Sequence, residues 1–469
     1  MKLGFLKQDT EQRCELIVNG SITKTILMLS LPSLMMGMVQ SIIPLIDGLF
    51  INNFSGTIPA SAVTYCVPII GMIIGLSQGL GSAGMAVIGQ ANGRGDLAEG
   101  RRISTQLVIF SSLLGVALAP LLYVLAYPIS ASVSPDISHD VFLYLTLNTF
   151  VIPFSFLEYI YNAIKNANGK PEATFVRMVI LLALKVVFNA LFVATFKWGV
   201  AGAAVASLAA NLIITVWMYL ELFVKKGSDR LKLSGFRFDW HIIGNLVRVG
   251  LPAMLANLMV YIGFFLINNE VQVYGAIVLN GQGIANNITA IAFTVPSSFA
   301  AAVTTMVSMN VGAGHEMRAR KSCRAGCLIS AVSAALLIAV IVPLSRYMTV
   351  LFTRDAEVLE VANRALHIYT YSVVGFGVCM VQIGAFIGLG RTWRTLVLGV
   401  LRIWLLRYLF ILATERALGV DSVFWGNLFS NYACAAITTV MILRVKWVSV
   451  INTRVKTRLA AAEQEQLAS

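Results

Sequence analysis

The composition of this chain is that of a membrane protein. Its 469 residues are 58% hydrophobic and only 12% charged, with a mean hydropathy of +0.79. Soluble domains carry about 25% charged residues, so a soluble fold is excluded and a polytopic membrane protein is indicated. The net charge of +13 does not indicate a nucleic-acid partner, because the lysines and arginines fall in short clusters between apolar segments, as in cytoplasmic loops. The partner that this pattern predicts is the lipid bilayer.

Twelve apolar segments are long enough to cross a bilayer, and we call them spans 1 to 12 in chain order. A basic linker, residues 225–242, separates the first six from the last six. We therefore predict an N-terminal arm (1–23), an N-lobe (24–224), the linker, a C-lobe (243–444) and a C-terminal tail (445–469). The spans lie at 24–52, 61–88, 104–130, 141–163, 173–196, 199–224, 243–270, 280–309, 325–350, 362–388, 395–413 and 420–444.

The distribution of positive charge predicts the orientation. With the N-terminus inside, most of the 35 lysines and arginines fall in the arm, the linker, the tail and the alternate loops on that same side. This bias places both termini in the cytoplasm and the chain in the plasma membrane. Span 1 is too long for the apolar core of a signal peptide and lacks a small-residue cleavage site, so we expect no cleaved signal.

Span 1 carries one acid in an otherwise apolar sequence. Asp47 lies near its far end, and Pro32 and Pro44 each remove a backbone donor from the helix. A carboxylate near the membrane centre costs roughly 2.5–3.5 kcal/mol on insertion scales, so Asp47 is a candidate functional group. The alternative is that it lies close enough to the helix end to reach headgroups or water.

The two halves of the chain repeat at an offset of about 220 residues. Each repeat has an even number of spans, so both repeats share one orientation and are related by an axis along the membrane normal. Parallel repeats of this kind are typical of transporters with alternating access. We predict an all-α fold of twelve transmembrane helices, arranged as two parallel six-helix lobes around a central cavity. The matched positions are Leu31-Pro32 with Leu251-Pro252, Gln90 with Asn310, Gly169-Lys170 with Gly390-Arg391, and Trp198-Gly199-Val200 with Leu418-Gly419-Val420.

Motifs for enzymes and metal sites are weak. Gly79-x-Gly81-x-x-Gly84 has the letters of a dinucleotide fingerprint, but it lies inside a helical apolar run and not between a strand and a helix. Gly71, Gly75 and Gly79 recur every fourth residue, which predicts a face for close helix packing. The chain has no Walker A phosphate loop, and its six scattered cysteines are expected to be reduced and structural. We expect no enzyme activity, no metal site and no cofactor.

Three polar residues on spans 1 and 5 fall at a similar depth. At about 1.5 Å per residue, Asp47 lies roughly 8 Å inside the outer end of span 1, and Asn189 lies roughly 10 Å inside that of span 5. Lys185 lies one turn below Asn189 on the same face. The three are predicted to share a site at which protonation of Asp47 would leave Lys185 without a partner. The alternative is a static ion pair that holds the two spans together.

Other buried polar residues are candidates for coupling or substrate binding. Glu158 on span 4 is a second candidate coupling acid, unless it pairs with Lys165 at the helix end. Arg402 and Arg407 on span 11 lie at mid-membrane depth and must face protein or water. They could hold an anionic substrate group, a lipid phosphate or structural carbonyls. A polar face on span 10 is predicted to line the cavity with Tyr369, Tyr371 and Gln382.

Five stretches are more specific than composition: LSLPSLMMGMVQSIIPLIDGLFINN, GLSQGLGSAGMAVIGQANGRGD, KWGVAGAAVASLAANL, LPAML and MNVGAG. With them the chain resembles the multidrug and toxic compound extrusion (MATE) family over nearly its whole length. The resemblance implies twelve helices in two lobes and export of small organic compounds in exchange for protons or sodium. It implies that Asp47 is central to coupling. It also implies that Gln40 and Ser207 contribute to the polar site of the N-lobe. We predict that Gln40, Gln78 and Ser207 bind substrate.

The charged residues depart from the pattern of that family. Span 5 in many members reads N-x-x-x-D, whereas here it reads Lys185-Val-Val-Phe-Asn189, so a cation replaces the second acid. A sodium-coupled branch uses acids in spans 7 and 10, but here span 7 has none over 252–269 and span 10 has none after Glu360. We therefore favour protons over sodium as the coupling ion. Because of the additional cations, a zwitterionic or anionic substrate is kept as an alternative to a cationic one.

The favoured hypothesis is a monomeric, proton-coupled antiporter that exports amphipathic organic compounds by alternating access. The second hypothesis is a flippase for a lipid-linked or anionic precursor, with Arg402 and Arg407 on a phosphate. A sodium-coupled exporter of the same family is the third. A membrane enzyme or receptor is disfavoured by the repeat and by the missing catalytic residues.

Overall fold

The computed structural model describes residues 9–448 except 56, 134, 226, 228–229, 273, 275 and 351–355. These residues form fifteen α-helices, no strands, and three short π-helical segments that extend α7, α8 and α13. The helices are α1 Thr10–Asn19, α2 Ile22–Ser55, α3 Thr57–Gly93, α4 Leu97–Ala131, α5 Pro135–Thr149, α6 Ile152–Ala167, α7 Pro171–Asn189, α8 Gly199–Tyr219, α9 Trp240–Gln272, α10 Ala276–Gly312, α11 Glu316–Val350, α12 Ala356–Gly388, α13 Thr392–Val400, α14 Leu409–Leu418 and α15 Asp421–Leu443.

The twelve predicted spans are present in the described part of the chain. Eleven helical segments are long and apolar enough to cross a membrane, and α5 with α6 supplies the twelfth. The N-lobe comprises α2–α8 and the C-lobe comprises α9–α15, so the all-α two-lobe prediction is confirmed. Several helices begin earlier than predicted, as α11 does at Glu316, because an apolar pattern marks the part of a helix inside the bilayer and not its polar end.

Span 4 was predicted as one helix, and this is wrong. It is broken between α5 and α6, which meet at an angle of 52°. Pro153 lies in the first turn of α6, where its missing N–H would have no intrahelical acceptor in any case. The break turns α6 toward α3, α4 and α7 and brings Glu158 and Tyr159 into the interior of the N-lobe.

The N-terminal arm contains a helix, α1, that the apolar pattern did not predict. Arg13 belongs to α1, and its side chain is fully buried. Its Nη1 donates to the Gly169 carbonyl at 2.8 Å, and its Nη2 forms an ion pair with Glu172 at 2.6 Å. On the other lobe, Arg318 of α11 donates to the carbonyls of Ile17 and Gly20. The helix α1 therefore joins the ends of the two lobes at which Gly169 and α11 lie.

We predict that Arg13→Ala lowers the free energy of unfolding by about 1–3 kcal/mol, because it removes charge-assisted hydrogen bonds that tie α1 to the N-lobe. The measurement is thermal unfolding in detergent. Arg324→Ala is the control, since Arg324 is an exposed arginine of α11, the helix that carries Arg318. Equal melting temperatures for the two variants would contradict a structural role for the buried contact.

The predicted glycine face packs against the C-lobe. A Cβ on Gly79 would lie 2.3 Å from the backbone nitrogen of Met254 on α9, and a Cβ on Gly75 would lie 3.1 Å from the Tyr261 ring. At the C-terminal end of α3, a Cβ on Gly93 would lie 2.0 Å from the Met309 carbonyl oxygen. The glycines let α3 approach the backbone of two C-lobe helices, so the packing interpretation is confirmed.

We predict that Gly79→Ala destabilises the protein by about 1–3 kcal/mol, because α3 and α9 must separate to admit the methyl group. Gly244→Ala is the matched control. It lies inside α9 with nothing within 4 Å of its Cβ position, so alanine there should be neutral or stabilise by up to about 1 kcal/mol. Thermal unfolding in detergent separates the two, and a neutral Gly79→Ala would refute the close approach.

Candidate functional site: a buried ion pair and an arginine-lined cavity

Asp47, Lys185 and Asn189 meet inside the N-lobe. The Nζ atom of Lys185 lies 2.5 Å from Oδ2 of Asp47, and Nδ2 of Asn189 donates to Oδ1 at 2.9 Å. The exposed fractions are 7% for Asp47 and 6% for Lys185, while Asn189 is fully buried. The predicted juxtaposition is present. The alternative that Asp47 reaches headgroups or water is wrong for this structure, because both carboxylate oxygens bond to side chains of α7.

The helix geometry explains how these three residues meet. Lys185 and Asn189 are four residues apart on α7, so they lie one turn apart on the same face. They therefore reach one oxygen each of a single carboxylate on α2. Tyr144 of α5 interacts electrostatically with Asp47 from another side. The carboxylate is enclosed by protein, and its charge is balanced by one ammonium.

Glu158 has a different partner from the one considered in the sequence. Its Oε1 lies 2.7 Å from Nη2 of the fully buried Arg177, and Lys165 instead pairs with Glu221 at 2.6 Å. The expectation of a Glu158–Lys165 pair is wrong because the two residues are two turns, about 10 Å, apart along α6. A coupling role for Glu158 stays a prediction.

Tyr159 links two glutamines of the N-lobe that are predicted to bind substrate. Nε2 of Gln40 and Nε2 of Gln78 both donate to its hydroxyl, at 2.9 and 3.3 Å. Sequence reasoning missed this tyrosine, although it directly follows Glu158 in a largely apolar helix. Ser207 is buried on α8, and among the described residues its hydroxyl makes no hydrogen bond to Asp47. The substrate-binding roles of Gln40, Gln78 and Ser207 stay predictions.

A cavity of about 560 Å³ lies mainly in the C-lobe. Helices α9, α10, α12, α13 and α15 and the π-helical segment Leu401–Tyr408 form its walls, and Ser82 is the N-lobe residue described among its lining. None of the lining residues described is acidic. The lining combines aromatic rings with neutral amides and two cations: Phe264, Phe293, Phe376, Asn257, Gln282, Asn286, Asn427, Asn431, Arg402 and Arg407.

The placement of the span 10 residues differs from the prediction. Tyr369 is fully buried and accepts a hydrogen bond from Gln282 at 3.3 Å, Tyr371 is 48% exposed, and Gln382 donates to Thr439 at 2.7 Å. None of the three is among the lining of this cavity, and their roles in substrate binding stay predictions. The cavity face of α12 lies between them and consists of Phe376, Met380, Ile383 and Ile387.

The asparagines and glutamine of the cavity were missed by sequence reasoning. Asn427 and Asn431 are four residues apart in the apolar span 12, which is the same signal that located Lys185 and Asn189 in span 5. Nδ2 of Asn431 donates to Oδ1 of Asn427 at 2.6 Å, and Nη1 of Arg402 donates to Oδ1 of Asn431 at 3.3 Å.

Two parallel six-helix lobes of membrane-spanning length, with a cavity lined mainly by the C-lobe, have the architecture of a membrane transporter. The MatE family model matches residues 32–191 and 252–412, and the chain belongs to this family. The two matches fall one in each lobe at the offset of about 220 residues, which confirms the internal repeat.

Curated relatives are distant but match along most of their length. The chain is similar to the probable multidrug resistance protein YoeA of Bacillus subtilis (strain 168), with 22% identity covering 82% of this chain and 85% of that protein. It is similar to the multidrug export protein MepA of Staphylococcus aureus (strain MRSA252), with 20% identity covering 90% of this chain and 94% of that protein.

The fold is similar to that of a solved structure described as the outward-facing conformation of a multidrug resistance MATE family transporter of the MOP superfamily. The TM-score is 0.86, with 21% identity over 96% of this chain and 98% of that chain. At this level of identity the likeness establishes the shared fold.

We predict that Lys185→Met destabilises the protein by about 3–5 kcal/mol, because it leaves Asp47 as an uncompensated buried charge. The double variant Asp47→Asn with Lys185→Met should recover much of this loss. The control is Arg102→Met, which breaks an ion pair to Asp239 of similar length, 2.7 Å. Since Arg102 is 65% exposed, we expect that loss to be at most about 1 kcal/mol.

Thermal unfolding of the single and double variants gives the coupling energy between Asp47 and Lys185. Additive effects of the two substitutions would show that the pair makes no net interaction.

Proposed function

We propose that this protein exports amphipathic organic compounds across the plasma membrane in exchange for protons, with Asp47 as the coupling acid. The observation that carries the proposal is the buried contact of Asp47 with Lys185 and Asn189. A carboxylate in this setting can take up a proton only by releasing its ammonium partner, so proton binding acts directly on the contact between α2 and α7. YoeA is named a probable multidrug resistance protein and MepA a multidrug export protein, which supports an organic cargo.

Protonation of Asp47 changes the balance of charge inside the N-lobe. With Asp47 ionised, Lys185 has a partner, and the two helices are held together. With Asp47 protonated, the ammonium stays buried without a counter-charge, a state that costs several kcal/mol until the ammonium reaches water or another acceptor. A rearrangement of α7 against α2 relieves this cost. The proton thereby favours one of two packings of the N-lobe.

Alternating access requires contacts between the lobes that can open and close. At the ends of α3, α10 and α12 assigned to the cytoplasmic side, Nε2 of Gln90 donates to the Gly388 carbonyl at 2.9 Å, and Gly93 lies against Met309. Opening the transporter to the cytoplasm would separate these groups. The helix α1 spans the same junction, and both termini are assigned to the cytoplasm by the charge bias.

Protons are favoured over sodium by the position of Lys185. Its ammonium lies 2.5 Å from Asp47 and occupies the place beside the carboxylate that a bound sodium ion would need. Sodium prefers several oxygen ligands, whereas here one oxygen of Asp47 faces a cation and the other accepts from Asn189. The N-lobe site therefore fits a proton acceptor better than a metal-ion ligand.

A flippase for a lipid-linked or anionic precursor is the second candidate. The specific observation in its favour is that Arg402 and Arg407 both face the cavity. In this alternative their guanidinium groups bind a phosphate while the lipid tail stays in the bilayer.

The test uses purified protein in liposomes with an imposed pH gradient. Accumulation of a labelled organic cation and of a labelled organic anion is measured with sodium and with a sodium-free buffer. We expect the wild type to accumulate at least one of them in response to the gradient, without sodium. Asp47→Asn should abolish this accumulation, because its amide cannot take up and release the proton.

Asp239→Asn is the control, since Asp239 is an acid at the start of α9 whose backbone-capping role an amide can retain. Exchange of labelled for unlabelled substrate without a gradient shows whether a variant still binds cargo. Gradient-driven accumulation that survives in Asp47→Asn would overturn the coupling role of Asp47. Accumulation that follows a sodium gradient alone would overturn proton coupling.

A further inference from the structure

We propose that the C-lobe cavity binds an amphipathic organic anion, with its acidic group on Arg402 and Arg407 and its apolar body between the phenylalanines. The proposal rests on the transport function proposed above and names the class of its cargo. Three observations support it: the π-helical geometry of the segment that bears the arginines, the positive charge of the cavity, and the residues that form its walls.

The two arginines lie on a π-helical segment, Leu401–Tyr408. In an α-helix, residues five apart are rotated by about 140° from each other and face different directions. A π-helix pairs residue i with residue i+5, so residues five apart lie one turn apart on the same side. Arg402 and Arg407 are five apart, and both line the cavity. The local unwinding therefore directs two cations to one site.

Neither of the two guanidinium groups is neutralised by a described carboxylate. The other buried arginines, Arg13 and Arg177, form ion pairs with Glu172 and Glu158. Arg402 and Arg407 form no ion pair within 4.0 Å in the described part of the chain. Arg407 is only 7% exposed and lies within electrostatic range of Arg402. Two neighbouring cations with no acid in the same lining produce a strongly positive site.

The guanidinium groups also keep hydrogen-bonding capacity. The Nε atoms of Arg402 and Arg407 are buried and have no hydrogen-bond partner. Their other partners are uncharged. Nη1 of Arg402 donates to Oδ1 of Asn431 at 3.3 Å, and Arg402 lies 5.4 Å from the centre of the Phe376 ring. Arg407 has the Tyr369 hydroxyl as a neighbour and lies 5.7 Å from the centre of the Phe264 ring. A carboxylate, sulfonate or phosphate satisfies such groups with charge-assisted hydrogen bonds, often in bidentate geometry. An ammonium group would be repelled.

The walls fit the rest of an amphipathic molecule. A volume of about 560 Å³ is within the range of sites for drug-sized ligands. The rings of Phe264, Phe293 and Phe376 offer flat apolar surfaces, and the neutral amides around them can bind hydroxyl or amide groups. The positive group of a zwitterion would lie against a lining in which none of the described residues is acidic. The cavity therefore favours a net anion over a zwitterion or a cation.

The same chemistry can come from two sources, a free organic acid or a lipid-linked phosphate. The experiment distinguishes them with three probes: 2-naphthoate, 2-naphthylmethylammonium with the same ring and the opposite charge, and farnesyl phosphate. Equilibrium binding of each labelled probe to the full-length protein in detergent is measured. Binding in detergent does not require transport, so a failure of this proposal and a failure of the proposed function give different results.

We expect at least one of the two anionic probes to bind about tenfold or more tightly than 2-naphthylmethylammonium. Arg402→Gln with Arg407→Gln should weaken anion binding by about tenfold or more and should leave or improve cation binding. Arg402→Lys should retain part of the anion affinity. Arg364→Gln is the control, because Arg364 is a half-exposed arginine of the same lobe. If the double variant fails to fold, the comparison of anion binding with cation binding by the wild-type protein still tests the proposal.

Each outcome has one meaning. Preference for 2-naphthoate assigns a free organic acid, and preference for farnesyl phosphate with no binding of 2-naphthoate assigns a lipid-linked phosphate. Equal or tighter binding of the ammonium probe overturns the proposal, as does anion binding that is unchanged in the folded double variant. Anion binding without gradient-driven transport in liposomes would leave this inference standing and reject the proposed function.

Discussion

The cost of placing charge inside a bundle surrounded by hydrocarbon is the constraint on which this structure depends. The N-lobe meets it by pairing. Lys185 is neutralised by Asp47, and Arg177 is neutralised by Glu158. The first pair joins α2 to α7 and the second joins α6 to α7, so the charges also fix how those helices pack.

The C-lobe meets the same constraint in another way. At the repeat offset of about 220 residues, Asp47 corresponds to Ile267 and Lys185 corresponds to Leu405, so the repeat contains no second copy of the ion pair. The C-lobe instead places the half-buried Arg402 and the buried Arg407 at a cavity, with amides and rings around them. One lobe thus holds a closed, neutralised pair, and the other holds an open, positive site. This asymmetry suits a division between coupling in the N-lobe and cargo binding in the C-lobe.

Prediction from the sequence succeeded where one helix carries polar residues at helical spacing. Depth along spans 1 and 5 and the spacing of four residues were enough to bring Asp47, Lys185 and Asn189 together. It failed where a helix bends, as span 4 does between α5 and α6. Arg402 and Arg407 were predicted as a pair from residue type and depth alone. Regular α-helical periodicity separates them, and the π-helical segment brings both to the cavity. For Tyr369, Tyr371 and Gln382, polarity alone did not show which face of α12 meets the cavity.

The sequence by itself determined the membrane class, the twelve spans, the repeat and the glycine face of α3, because hydrophobic length, charge bias and residue spacing are local properties of the chain. Tertiary structure decided the partners of the charges. Glu158 pairs with Arg177 and not with Lys165, and Arg13 joins α1 to Glu172 across 159 residues of sequence. Such choices depend on the angle and depth at which distant helices meet. These follow from the packing of the whole bundle, since a buried charge takes whichever opposite charge the assembled helices bring within reach.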